Sequence, residues 1–189
     1  MTKDETQFLR TLLLTQKVYA EFGMGGSTLL ALESGVRDIV SVESNDDWIK
    51  HVENDPNVRN YVNQGARLQT VYVDIASDPN NWGMPRDQSK RENWPLYSSA
   101  LDGKLNATFD VILVDGRFRV ACALKSIKLM NEKTLLLIHD YVQRPRYHQV
   151  EQFLDKVNTI DTLCVFRKKC AVDDELLAKA IEKNIYDAF

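Results

Sequence analysis

The sequence predicts an α/β protein, a doubly wound and mostly parallel sheet with helices packed on both faces. Three observations carry that reading. Short β-prone runs alternate with helical stripes along the chain. One run, Phe109-Asp110-Val111-Ile112-Leu113-Val114, is almost continuously apolar, as central parallel strands buried on both faces are. A glycine-rich turn, Gly23-Met24-Gly25-Gly26, leaves the first run and leads into a helix.

The 189 residues, 44% hydrophobic and 27% charged, suit one domain over residues 1–189 with core enough for one sheet. Phe8, Leu9, Leu12 and Leu13 recur at helical spacing and predict an amphipathic helix over 5–16. Residues 17–22 form the first strand, 27–34 a helix ended by Gly35, and 38–42 the second strand. Ser44 or Asn45 caps a helix reaching about Glu53, with Asp46 and Asp47 at its positive end. Residues 68–73 form the third strand. Residues 76–104 then break the rhythm with Pro79, Gly83, Pro85, Pro95 and Gly103, yet they carry Trp82, Trp94, Tyr97 and Leu101. So long a segment between elements predicts an inserted, folded, lid-like piece. Beyond the 109–114 strand, Val120, Ala123, Leu124, Ile127 and Met130 make a helical stripe, and 134–138 supplies the fifth strand. A helix over 147–157, a strand over 162–166 and a last helix capped by Asp173 or Asp174 complete the series. Whether 168–172 pairs with the strand before it is open.

A formal charge of -3 argues against a dedicated nucleic-acid binder, so an anionic partner must be met by a local arginine cluster. Cys122, Cys164 and Cys170 are widely spaced with no CxxC, which predicts free thiols in a reducing compartment. No apolar stretch approaches the roughly 18 residues a membrane span needs. The expectation is a cytoplasmic protein with no membrane partner; its oligomeric state is open.

The glycine turn has a physical purpose. Glycines let backbone approach a ligand closely, and the free N–H groups of the new helix face it. Glu43 follows Gly23 by 20 residues, at the carboxyl end of the second strand, where an acid can accept both hydroxyls of a ribose. A dinucleotide fingerprint needs a third glycine where Thr28 stands. Glu21, two residues before Gly23, would repel a pyrophosphate and favour a cationic ligand. An NAD-dependent oxidoreductase stays open as an alternative.

On Glu21-Phe22-Gly23-Met24-Gly25-Gly26-Ser27, Glu43, Asp74, Phe109 to Gly116 and Leu136-Leu137-Ile138-His139-Asp140-Tyr141, most of the chain resembles the class I S-adenosylmethionine-dependent methyltransferases. The resemblance implies a seven-stranded Rossmann-like sheet, S-adenosylmethionine as cofactor, and methyl transfer to oxygen or nitrogen of a small molecule. It places Gly23, Gly25 and Ser27 at the donor's amino-acid part, Glu43 at the ribose, and Asp74 with Ile75 by the adenine. A donor-binding domain without transferase activity satisfies the same motifs.

Ligands of open α/β sheets lie outside the carboxyl ends of the strands. Asp115-Gly116-Arg117-Phe118-Arg119 and His139-Asp140-Tyr141 should therefore sit side by side next to the donor. His139 is the candidate general base, oriented by Asp115 or Asp140. Arg117, Arg119, Arg144 and Arg146, with Tyr141, are the candidates for an anionic acceptor, because guanidinium forks suit carboxylate and phosphate. His51 and His148 fall on predicted helices as surface groups. The two acids also resemble those of catechol-type O-methyltransferases, which hold magnesium, although Tyr141 replaces the asparagine that follows the second acid there. Magnesium is thus an optional second cofactor.

Overall fold

In the computed structural model, residues 1–105 and 108–189 are described. Helix α1 (Lys3–Leu13) begins where Thr2 and Glu5 cap each other: the Glu5 amide donates to the Thr2 hydroxyl (3.2 Å) and the Thr2 amide to the Glu5 carboxylate (2.7 Å). Strand β1 (Val18–Phe22), helix α2 (Gly26–Glu33) and strand β2 (Asp38–Glu43) follow as expected. Asn45 caps α3 (Asp46–Glu53), accepting from the Trp48 amide at 3.1 Å. Helix α4 (Pro56–Asn63) was not expected. Its apolar stripe buries only Val58, and its one sequence signal is Asp55 capping a proline at the first helical position. Strand β3 (Arg67–Tyr72) then completes this half of the sheet.

The inserted segment folds as a two-stranded antiparallel ribbon, β4 (Ser77–Asp78) with β5 (Met84–Pro85), followed by helix α5 (Trp94–Ser98). Strand β6 (Val111–Val114), helix α6 (Arg119–Ser126) and strand β7 (Leu135–Ile138) come next.

The expected helix over 147–157 is corrected. A 3-10 segment runs from Pro145 to Gln152, and the chain then becomes strand β8 (Leu154–Ile160). Val150, Phe153, Leu154 and Val157 mimic helical spacing, but β8 pairs antiparallel with β9 (Leu163–Lys168). That pairing, not one with 168–172, completes the hairpin, and cross-strand hydrogen bonds override the local period. Asp173 caps α7 (Asp174–Asn184).

The seven strands lie in the order β3-β2-β1-β6-β7-β9-β8, parallel except for β9, which opposes both neighbours. Alternate residues of each strand feed two apolar layers. Tyr19, Val111, Leu113 and Leu137 meet Leu9, Leu13, Leu30 and Ile49 on one face. Ala20, Phe22, Ile112 and Val114 meet Tyr97, Phe118, Ala123 and Leu124 on the other. Chain order reverses between β1 and β6, and the carboxyl ends of β1, β2 and β6 open there into one crevice.

Candidate functional site

The crevice holds a cavity of about 790 Å³, within the range of small-molecule sites. Gly23, Gly25, Ser27 and Glu43 line it. Gly23 sits at φ +99°, and a β-carbon on it would stand 2.9 Å from the Gly116 amide nitrogen. Only glycine permits that contact. The Glu43 carboxylate accepts the amides of Ser44 (2.5 Å), Asn45 (3.0 Å) and Met24 (3.2 Å), tying the end of β2 to the glycine loop.

Glu21 does not line the cavity, which corrects its expected place beside the ligand. It is fully buried under the loop and accepts hydroxyls from Ser27 (2.5 Å), Ser41 (2.8 Å), Tyr19 (3.0 Å) and Thr28. Burial pushes its carboxyl up, against the pull of those hydroxyls. Its work is to brace the loop from beneath. Asp74 and Ile75 are also absent from the wall: Asp74 accepts the Ala76 amide (3.0 Å) and pairs with Lys90 (3.6 Å), and Ile75 is in the core. Ser44, Asn45, Trp48, Pro79 and Trp82 form the wall beyond Glu43 instead. Trp48 is anchored by its indole N–H on the Met24 carbonyl (2.7 Å), whereas Trp82 stands 89% exposed at φ 53°.

At the other end, Asp115, Gly116 and Arg117 reach the cavity. His139 does not, and it is not a free base. Its Nδ1 meets Asp115 at 2.8 Å and its Nε2 meets Glu5 at 3.2 Å, with Asp140 at 3.6 Å. Burial lowers its proton affinity, but the carboxylates of Asp115 and Asp140 more than offset this and raise it. Asp140 is turned from the cavity and accepts Arg119 and Arg144, each at 3.1 Å. Asp140 and Phe118 adopt left-handed backbone, φ 56° and 53°, on the two loops past β7 and β6. Such strain gathers at functional sites.

Of the arginine and tyrosine candidates for the acceptor, only Arg117 faces the cavity. Arg119 is 4% exposed, and its fork is spent on the carbonyls of Asp115, Gly116 and His139 and on the carboxylates of Asp115 and Asp140. Tyr141 is buried and donates to Glu151 (2.8 Å). Arg144 is held by Asp140 and the Tyr147 hydroxyl (3.1 Å), and Arg146 lies over the Phe189 ring. With Asp115 and Asp140 so engaged, no three His, Cys, Asp or Glu among the described residues are placed to hold a metal ion. The magnesium expected as an optional second cofactor thus finds no such group among the described residues.

No protein-family profile matches the sequence, and no curated protein matches it. Solved structures do match. A methyltransferase-like protein from Silicibacter pomeroyi superposes with a TM-score of 0.80 at 29% identity, over 99% of this chain and 96% of that one. The chain has the class I S-adenosylmethionine-dependent methyltransferase fold. An O-methyltransferase, TomG from Streptomyces achromogenes, in complex with S-adenosylmethionine, shares this methyltransferase fold at TM-score 0.55 and 13% identity, over 89% of this chain and 82% of that one. The ribosomal protein L11 methylase of Lactobacillus delbrueckii does so at 0.54 and 13%, over 89% and 81%.

Two contributions to the candidate site escape a reading of the sequence. Helix α1 lends Thr6 and Arg10 to the cavity wall, Met1 joins them from just before it, and Glu5 clamps that helix to His139, to the amide (2.9 Å) and hydroxyl (2.7 Å) of Thr162, and to the Leu163 amide (3.1 Å). The Thr2-x-x-Glu5 spacing signals a helix start. Nothing local signals a carboxylate that reaches residues 157 positions away. Among the described residues no helix is long and apolar enough to cross a membrane.

Proposed function

We propose that this methyltransferase moves a methyl group from S-adenosylmethionine to an oxygen or nitrogen of a small anionic molecule. One observation carries the reading: a single cavity joins the glycine loop and Glu43 to Arg117, which no carboxylate pairs with among the described residues. Arg117 is half-buried, and its Nη1 meets only the Met84 sulfur at 3.1 Å. Burial first, then Arg119 and Arg144, lower its guanidinium from the ordinary value. A charge kept short of water and of counter-ion favours an anionic ligand. The net charge of -3 favours a small molecule over nucleic acid.

The fit to the donor rests on the cradle. Gly23 and Gly25 leave room for its amino-acid part, Glu43 accepts its ribose hydroxyls, and the wall from Ser44 to Trp82 receives its adenine in place of Asp74 and Ile75. Bound there, S-adenosylmethionine supplies an electrophilic methyl. The protein's share is positioning. With both His139 nitrogens engaged, Asp115 is the carboxylate left beside the acceptor, held in place by Arg119 (3.1 Å) and His139 (2.8 Å).

Calorimetry and product analysis test this together. Glu43→Ala should weaken S-adenosylmethionine binding by about tenfold or more, the worth of a hydrogen bond to a charged group. Arg117→Ala should keep donor affinity and lose turnover across a panel of carboxylate and phosphate acceptors. Binding of NAD with none of S-adenosylmethionine would overturn the reading.

A further inference from the structure

Tyr97 stands outside the strand-end motifs, on α5 in the inserted segment. Its ring is 1% exposed, held against Phe22 and Phe118 with centroids 5.9 and 5.7 Å away. It nonetheless reaches the cavity wall, because its hydroxyl lies over Gly116. A β-carbon on Gly116 would be 2.1 Å from that oxygen. Gly116 in turn abuts Gly23, so two missing side chains and one fixed hydroxyl converge where the loop leaving β1 meets the loop leaving β6.

That point has a chemical meaning on the donor reading above, on which the present inference rests. With the amino-acid part along Gly23 and Gly25 and the ribose at Glu43, the sulfonium between them lies against Gly23 and Gly116. We infer that the Tyr97 hydroxyl oxygen contacts the transferable methyl, making Tyr97 a catalytic residue. A methyl on a cationic sulfur has polarised C–H bonds, and a hydroxyl lone pair accepts them as weak hydrogen bonds. Burial, and after it the charge of Glu43, hold the phenol above its ordinary value, so it stays protonated and takes no proton from the acceptor. The two phenylalanine rings fix the oxygen before the donor arrives, so no reorganisation is needed at the moment of transfer. Arg117 adjoins Tyr97 on the cavity wall, which directs the methyl towards the bound anion.

The test compares wild type with Tyr97→Phe, which keeps the ring packing, using S-adenosylmethionine and S-adenosylhomocysteine as probes in calorimetry. Loss of the hydroxyl should weaken the methylated nucleoside about two- to fivefold, the worth of one C–H···O contact, and leave the demethylated one unchanged. Equal affinity ratios in both proteins overturn the assignment. A second readout uses the donor labelled with carbon-13 at the methyl: its bound proton resonance should move upfield in Tyr97→Phe, and an unmoved resonance also overturns it. If wild type binds neither nucleoside, the donor reading fails and the Tyr97 assignment fails with it. If both bind with an unchanged ratio, Tyr97 alone is wrong.

Discussion

Glu5→Gln should cost this protein a measurable share of its stability, and the amount can be worked from the contacts. Glu5 is fully buried and accepts from the amides of Thr2, Thr162 and Leu163, from the Thr162 hydroxyl and from His139. Burial acts to raise its carboxyl, but those hydrogen bonds and the His139 charge win and bring it from 4.5 to about 2. A shift of that size corresponds to about 3 kcal/mol at about 1.36 kcal/mol per unit. The group is depressed on folding, so its contribution is complete above pH 4.5 and fades as pH falls through about 2. At neutral pH the variant should lose up to about 3 kcal/mol, or roughly 6–12 °C in Tm for a chain of this length. Urea unfolding at neutral and acidic pH provides the assay. A neutral-pH gap below about 0.5 kcal/mol, typical of an ordinary surface change, would refute the reasoning. So would a gap that does not narrow in acid.

Other outcomes follow from the same geometry. Arg119→Leu leaves the carboxylates of Asp115 and Asp140 without their buried partner and should cost about 3–5 kcal/mol in denaturant unfolding. Gly116→Ala sets a methyl against the Tyr97 hydroxyl at 2.1 Å and against backbone of Gly23 and Phe22 at 3.0 Å, so it should lower Tm and weaken donor binding in calorimetry. Thiol labelling of the native protein should modify exposed Cys170 and spare Cys122 and Cys164 until unfolding, since both are buried and burial pushes their thiols up. His139 runs opposite to Glu5: its raised value stabilises the fold below 6.5, and that share should be lost as pH rises through the value, read by NMR titration of its ring.

The parts of the site that lie close together along the chain are legible in the residues themselves. Gly23, Gly25, Ser27 and Asp115 are placed by the short turn that ends a strand, and a turn's demands are written in the residues that make it. Glu43 is legible for a similar reason, because strand end and glycine loop are separated by one helix in a βαβ unit of regular size. Function among the residues past β6 and β7 is harder to divide. Four arginines look alike in sequence, and only packing shows that Arg119 and Arg144 serve Asp140 while Arg117 is left to the cavity.

The sequence by itself determined the alternation of strands and helices, hence a parallel sheet with two covered faces, and the glycine turn with its following acid. These depend on periodicity and on backbone conformations that only certain residues allow, both local properties. Tertiary structure alone decided that 154–160 is a strand, that His139 is locked between Asp115 and Glu5, and that Tyr97 overlies Gly116. Each of those rests on a partner distant along the chain, and a side chain's pairing is set by which neighbours the fold brings within a few ångströms, not by its own identity.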